Sequence, residues 1–169
     1  MAQLAKNKKS LESQKQIYKG LREILKSKPL SEVTIVDIKK QCNISRSTFY
    51  RNFDNVLDVL DVMFDFFYRR YLEERKEKEN QLLFFFEYWK YHRDLVALIA
   101  TQNQTLIKQC MKKYEKSPNE NPYLFDVKYS ILTSLLCEWS KTKSGTPEDL
   151  ELQTRKFLNM KCIDLLLNL

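Results

Sequence analysis

The chain has 169 residues, of which 43% are hydrophobic and 30% are charged, and it contains 2 glycines and 4 prolines. So few turn-forming residues disfavour a many-stranded β-sandwich or barrel and nearly exclude glycine-rich phosphate-binding loops. The apolar content is too high for a disordered chain. The composition therefore predicts a folded, all-α protein whose helices are joined by short polar loops.

Positive charge is concentrated in the first third of the chain. The formal net charge is +7; residues 1–53 carry 12 Lys/Arg and 4 Asp/Glu, whereas residues 54–169 carry 17 Lys/Arg and 18 Asp/Glu. A basic module joined to a near-neutral one is typical of proteins that contact a polyanion such as nucleic acid. An ordinary solvated, lysine-rich surface is the alternative that charge alone leaves open.

The sequence gives no signal for export, membrane insertion, metal binding or catalysis. Residues 1–10 lack the apolar core of a signal peptide and no run of 18 apolar residues exists, so a cytoplasmic location is expected. The one histidine, His92, has no partner at metal-ligand or nucleophile–base spacing. We therefore expect no metal, no cofactor and no catalytic residues. The four scattered cysteines are expected to be buried, reduced thiols: Cys42, Cys110, Cys137 and Cys162.

An N-terminal three-helix domain is predicted over residues 1–54, preceded by a flexible basic arm at residues 1–9. The first helix is predicted to begin at Ser10, because apolar residues follow this position at helical spacing. This helix is expected to stop before Pro29, because proline disfavours helical backbone in the residue before it. Thr34 can cap the second helix by accepting hydrogen bonds from free backbone N–H groups.

A tight turn separates the second and third predicted helices. Asn43 tolerates the left-handed backbone that such a corner needs, and Ser45 can cap a short helix from Arg46 to about Phe53. This third helix is mostly polar, with apolar side chains only at Phe49 and Phe53. Most of its surface is therefore expected to face something other than the protein core.

A C-terminal helical domain is predicted over residues 55–169. Asn55 can cap a fourth helix, whose apolar stripe and charged end extend to about Glu79. The starts of the later helices are expected near Leu82, Leu95, Tyr123 and Pro147. On the helix that starts near Tyr123, the predicted inward side chains are Leu124, Val127, Ile131, Leu135 and Trp139.

The order of helix, short turn and short polar helix is the helix–turn–helix pattern of DNA-binding proteins. The major groove of duplex DNA admits one α-helix, whose side chains then bond to base edges and phosphates. Arg46 can form hydrogen bonds with a guanine edge. The side chains of Ser47 and Thr48 are short enough to let the helix backbone approach the DNA. Thr34 lies at a helix start, where unpaired N–H groups and the helix dipole favour a phosphate.

Two segments resemble the tetracycline-repressor (TetR) family of bacterial transcriptional regulators. Residues 35–38 (IVDI) and 44–53 (ISRSTFYRNF) are similar to the family pattern T-V-x-D-I…G-V-S-R-G-T-F-Y-R-H-F, over about residues 10–65. Residues 146–150 (TPEDL) show a weaker resemblance to the C-terminal module of small members. Val56 stands where the family usually has a phosphate-clamping lysine. The candidates to replace it are Lys39, Lys40 and the lysines of the basic arm, Lys6, Lys8 and Lys9. The predicted DNA contacts are Thr34, Lys39, Ser45, Arg46, Ser47, Thr48, Tyr50, Arg51 and Asn52.

The resemblance implies a homodimer on double-stranded DNA with a palindromic operator, and a C-terminal module that binds a small-molecule effector. The dimer is expected to form through residues 123–141 and 147–169 as a four-helix bundle. The function implied is that of a repressor released by its effector. A co-activator or adaptor of the same fold, controlled by a partner protein, is the alternative. The candidate residues for the effector pocket are Phe67, Phe85, Tyr88, Trp89, His92 and Tyr129.

Overall fold

The computed structural model describes residues 8–115 and 121–159, and this part of the chain is all-α, as predicted. The eight α-helices described are α1 (Lys8–Ile24), α2 (Ile35–Cys42), α3 (Arg46–Tyr50), α4 (Val56–Arg75), α5 (Gln81–Lys90), α6 (Arg93–Tyr114), α7 (Pro122–Thr142) and α8 (Pro147–Asn159). A short 3-10 turn, Leu30–Glu32, lies between α1 and α2. Within the described ranges, no helix has the length and apolar character needed to cross a membrane.

The first three helices pack around a small apolar core. Ile17 and Leu21 of α1, Ile38 of α2 and Phe49 of α3 are fully buried, and Phe53 joins them just after α3. The two phenylalanines lie four residues apart, on one face of the turn that includes α3, and their ring centroids are 5.8 Å apart. They fix α3 to the domain through one face and leave its other faces outside.

Local capping sets the boundaries of α2 and α3, as the sequence predicts. Thr34 and Asp37 form a capping box at the start of α2, and the Ser45 hydroxyl accepts a hydrogen bond from the Thr48 amide at 3.0 Å. Asn43 ends α2 in the left-handed conformation, with φ of 50°. These local interactions create the sharp corner between the two helices. The helix α1 begins at Lys8, two residues earlier than expected; residues 1–7 of the predicted arm lie outside the described part.

Close contact between α1 and α2 depends on Gly20. A Cβ atom at this position would lie 2.1 Å from the Cys42 Sγ atom, much closer than van der Waals contact allows. Both residues are buried, so neither can move aside into solvent. The position therefore requires glycine despite its cost inside a helix.

We expect Gly20→Ala to lower the free energy of unfolding by about 1 kcal/mol, because an overpacking cost of about 1–3 kcal/mol is only partly offset by the helix-propensity gain of alanine of about 1 kcal/mol. Urea unfolding followed by circular dichroism would measure the change. The double variant Gly20→Ala/Cys42→Ala removes the sulfur atom and should recover most of the loss. A double variant no more stable than Gly20→Ala would contradict this explanation.

Helix α4 connects the N-terminal helices to the rest of the molecule. Its N-terminus is fixed by a capping box between Asn55 and Asp58, as the sequence predicts for Asn55. It packs against α1, α5 and α6. It ends at Arg75 rather than near Glu79, because Asn80 caps α5 and the intervening residues turn the chain into the next helix. The predicted division at residues 54/55 stays a prediction.

The later helices form the second half of the core. Helix α7 packs mainly on α6, and α8 packs on α5. Two lysines of α6, Lys108 and Lys112, bind Asp126 of α7 at 2.7 and 2.5 Å and lower the pKa of its carboxyl group to about 2. At the start of α8, Thr146 forms the predicted cap by accepting a hydrogen bond from the Asp149 amide at 3.2 Å.

The inward face of α7 differs from the prediction. Trp139 is buried as expected, but Leu124 is 67% exposed and Val127 is 54% exposed. Helix α7 carries two apolar stripes, and packing on α6 buries the one that contains Phe125 and Tyr129. The predicted stripe of Leu124, Val127, Ile131 and Leu135 faces partly or fully outward in the single chain. We call these four residues the α7 outer stripe.

Three of the four cysteines lie in the described part of the chain. Cys42, Cys110 and Cys137 are buried and free, as predicted. Burial raises the pKa of each thiol, to about 12 for Cys110 and about 11 for Cys137, so the thiols stay protonated near neutral pH. Cys162 and the apolar C-terminal residues 160–169, part of the predicted dimer segment, lie outside the described residues.

Candidate nucleic-acid interface

Helix α3 presents a polar, cationic surface to solvent. Arg46, Ser47 and Tyr50 are exposed on the helix, and Ser45 and Arg51 are exposed at its two ends. Buried Phe49 and Phe53 hold the opposite face. The structure therefore brings most of the predicted DNA-contacting side chains together on one short, firmly anchored element.

Arg46 and Tyr50 lie side by side on α3. The Arg46 guanidinium is 5.4 Å from the centroid of the Tyr50 ring, and the ring is 44% exposed. A stacked guanidinium is partly ordered before it meets a partner, and its planar donors match the paired acceptors of a guanine edge. The pair can thus supply both a directed hydrogen-bond donor and an apolar surface for a thymine methyl group.

Short hydroxyl side chains occupy the start of α3. The Ser45 hydroxyl lies 2.8 Å from the hydroxyls of both Ser47 and Thr48, and it also caps the helix. Small side chains here leave room for a phosphate backbone to approach. Hydroxyl groups can donate or accept hydrogen bonds, so this cluster can turn its protons towards phosphate oxygens.

Asn52 is placed differently from the prediction that it contacts DNA. It is 7% exposed, and its amide donates to the Thr48 carbonyl at 2.8 Å. Its Oδ1 atom accepts a hydrogen bond from the Ser10 hydroxyl at 2.8 Å. The side chain is therefore used inside the domain, where it ties the end of α3 to the start of α1.

Thr34 lies exposed at the start of α2, but its hydroxyl is already engaged. It donates to the Asp37 carboxylate at 2.7 Å, and Lys28 pairs with the same carboxylate at 2.7 Å. These bonds, first that of Lys28 and then those of Thr34, hold the pKa of the Asp37 carboxyl group well below its usual range. A phosphate at this helix start would therefore meet a carboxylate whose charge is paired with Lys28.

The remaining predicted positions lie at the margins of this surface. Lys39 is half-buried in α2, whereas the neighbouring Lys40 is exposed. Val56, which replaces the clamp lysine of the resemblance, is the half-buried first residue of α4. Lys40 is thus the better placed of the two lysines to substitute for that contact.

Two cavities divide the residues predicted for an effector pocket. The first cavity lies among α4, α5, α6 and α7, has a volume of about 450 Å³, and includes Phe85 and Tyr129 in its lining. The second cavity, of about 500 Å³, includes Phe67, Tyr88 and His92. The six residues were predicted to line one pocket, but the structure assigns five of them to two separate spaces.

Trp89, the sixth residue, is a core residue and lines neither of these two cavities. It is fully buried and stacks on Phe64 with ring centroids 4.7 Å apart. His92 stacks on Phe67 at 4.0 Å, and burial, followed by the charges of Arg22 and Arg70, lowers its pKa to about 4. His92 is therefore neutral near pH 7.

Sequence reasoning missed the polar end of the first cavity. Glu115, at the end of α6, receives a hydrogen bond from the Tyr68 hydroxyl and pairs with Arg75 at 2.8 Å. Burial and the Glu115 carboxylate raise the pKa of Tyr68 far above its usual value, so the phenol stays neutral. The apolar stripe of α4 could have indicated Tyr71 as a lining residue. No sequence motif predicts the ion pair between Arg75 and Glu115, which lie 40 positions apart.

Comparison with known proteins supports the fold and gives no family. No known family profile and no curated protein matches the chain. Among solved structures, it resembles Lin0861 from Listeria innocua, with a TM-score of 0.73, 18% sequence identity, and coverage of 92% of this chain and 96% of that one. It also resembles DhaS, a dihydroxyacetone kinase operon activator, with a TM-score of 0.54, 20% identity, and coverage of 86% and 93%. At these identities the likeness establishes a shared all-helical fold.

Proposed function

We propose that this protein is a sequence-specific DNA-binding transcriptional regulator of the TetR type. The observation that carries the proposal is the exposed, cationic surface of α3, anchored by two buried phenylalanines after a capped turn. A helix of this kind fits the major groove and presents Arg46, Tyr50 and Arg51 to bases and phosphates. The structural likeness to a protein named as an operon activator agrees with this role.

We propose that the protein acts as a homodimer. The α7 outer stripe places four aliphatic side chains at helical spacing, two of them more than half exposed. Such a stripe is costly in water and is suited to an isologous contact with the same stripe of a second copy. Two recognition helices related by a twofold axis would then read the half-sites of a palindromic operator, about 34–36 Å apart.

The proposed output is repression that a small molecule relieves. The second half of α4 lines the first cavity through Tyr68, Tyr71 and Arg75. Phe67, the residue before Tyr68 on the same helix, contacts Tyr18 of α1, with ring centroids 6.0 Å apart. A ligand that favours one position of α4 would thereby change the spacing of the recognition helices, provided that it binds the two arrangements with different affinity.

Control by a partner protein is the second candidate. The outward apolar side chains of α7 could receive another protein instead of a second copy, and the residue in the clamp position, Val56, offers no charge to a phosphate. In that case the chain would act as a co-activator or adaptor. Co-purification of a stoichiometric second protein would favour this candidate.

The direct test is DNA selection from a random duplex pool with the full chain. The proposed function predicts enrichment of a twofold-symmetric sequence, bound by two chains per duplex, with affinity that falls as salt rises. Selected duplexes without symmetry would reject the palindromic operator. Equal binding to every duplex, or none, would reject sequence-specific regulation.

A further inference from the structure

The first cavity has the size and lining of a small-molecule site. Its volume of about 450 Å³ falls within the range of about 300–1,000 Å³ usual for such sites. Buried side chains form apolar walls: Tyr71, Phe85 and Met111 are each less than 5% exposed. These residues belong to α4, α5 and α6, and half-buried Leu132 adds a wall from α7. The walls fit an aromatic ring or a short aliphatic chain.

The two least exposed charges in the lining of this cavity neutralise each other. Arg75 of α4 pairs with Glu115 at 2.8 Å, and their side chains are only 25% and 12% exposed. The other Glu115 oxygen accepts a hydrogen bond from the Tyr68 hydroxyl. Both carboxylate oxygens are therefore engaged, and the guanidinium has its counter-ion. A ligand ion that displaced one member of this pair would leave the other largely buried without a partner.

The third charged residue in the described lining offers no open charge either. Lys128 is exposed to solvent, and its ammonium is not free, since it lies 5.2 Å from the centroid of the Tyr129 ring. Water and salt screen an exposed ammonium, so it would attract an anion inside the cavity only weakly. The same lining also contains Gln81, whose neutral amide can donate and accept hydrogen bonds.

We infer that the first cavity binds a neutral, mainly apolar small molecule and discriminates against organic ions of either sign. This inference rests on the proposed function, in which the same cavity is the effector site. Moving a carboxylate or an ammonium group out of water is unfavourable unless the site supplies a free group of opposite charge, and here Arg75 and Glu115 already satisfy each other. A neutral ligand gains the apolar contacts without that cost.

Matched probes can test the charge preference. The neutral probes are 2-naphthamide, 4-phenylbutanamide and octanamide, and each would be compared with its carboxylate and its primary amine by calorimetric titration into the full chain without DNA. At least one amide should bind about tenfold more tightly than both of its charged counterparts. If no amide binds more tightly than its carboxylate and its amine, including the case in which nothing binds, the inference is wrong.

Breaking the ion pair should make the cavity accept an anion. Glu115→Gln keeps the shape of the side chain but leaves Arg75 without its counter-ion, so carboxylate affinity should rise about tenfold, whereas the uncharged amide should gain little. The same substitution at Glu87, an exposed residue that lines the second cavity, should change neither affinity. A Glu115→Gln protein with the carboxylate affinity of the parent chain would show that the ion pair does not set the preference, and the inference would fail.

Two leucine variants locate the binding. Leu82→Trp enlarges a half-buried side chain in the wall of the first cavity and should weaken amide binding at least about tenfold. Leu83→Trp makes the same change at the neighbouring half-buried position, which lines neither the first nor the second cavity, and should leave amide binding intact. Circular dichroism would check that both variants fold. Equal losses of affinity would reject the first cavity as the binding site.

These titrations are independent of DNA binding. A chain that selects a palindromic duplex but binds a charged probe most tightly keeps the proposed function and loses the ligand class. A chain that prefers amides, and loses them with Leu82→Trp, but selects no duplex keeps this inference about the cavity, while the regulatory function fails.

Discussion

Arg46→Ala should weaken binding to the selected operator at least about 30-fold while leaving thermal stability unchanged. A bidentate arginine–guanine contact contributes about 1–3 kcal/mol of base discrimination, and a dimer makes it twice, for a loss of about 2–6 kcal/mol. Arg46 is exposed and packs beside Tyr50 rather than in the core, so its removal leaves the domain folded. Fluorescence anisotropy on the operator and on a scrambled duplex would measure affinity and specificity together.

Two further variants separate base reading from charge. Arg46→Lys keeps the charge but loses the planar fork, so it should relax specificity and preserve most of the salt dependence. Lys26→Ala is the control, because it removes one charge from an exposed side chain just beyond the C-terminal end of α1. The N-terminal end of α1 contacts the end of α3 through Ser10. Lys26 lies 16 residues from Ser10, or roughly 24 Å at the helical rise, and is therefore far from α3. If Arg46→Ala and Lys26→Ala lower affinity equally, Arg46 has no specific role in reading DNA.

The helix boundaries near α3 could be predicted because they depend on local chemistry. Thr34 and Ser45 form hydrogen bonds with amides three residues along the chain, and Asn43 adopts a backbone conformation that its own side chain tolerates. Such interactions need no knowledge of the rest of the fold. The same reasoning placed Asn55 and Thr146 at the starts of α4 and α8.

Long-range contacts explain what the sequence could not predict. Asn52 has the polarity of a DNA contact, but its hydrogen bond with Ser10 joins residues 42 positions apart. The cavity residue Glu115 meets Arg75 from 40 positions away. Neither pairing follows from helical spacing, because it depends on how α1, α4 and α6 pack.

The orientation of α7 was ambiguous for a different reason. Its sequence contains two apolar stripes, and periodicity alone cannot decide which of them packs on α6. Phe125 and Tyr129 supply the larger side chains and are buried. The α7 outer stripe, which the sequence suggested as the inward face, is the surface that the proposed dimer would cover.

Val127→Asp should convert the dimer into monomers at micromolar concentration. Val127 is 54% exposed in the single chain and does not line the first cavity, so the substitution leaves both the core and the cavity intact. In an interface between two copies, the new carboxylates would lie in an apolar contact without partners, at a cost of several kcal/mol. Sedimentation equilibrium would measure the change.

The affinity for the operator should fall when Val127→Asp dissociates the dimer. Joining two recognition helices makes the second half-site contact effectively intramolecular, which raises overall affinity by about 10²–10⁴. The Val127→Asp protein should therefore bind the full operator about 10²–10⁴ times more weakly than the parent chain does. Its affinity for a single half-site should equal that of the parent chain. Gln109→Asp, on an exposed position of α6, adds the same charge within a helix and should change neither association nor DNA affinity. A Val127→Asp protein that remains a dimer would show that two copies meet elsewhere, because an unpaired carboxylate cannot be accommodated at the centre of an apolar contact without weakening it.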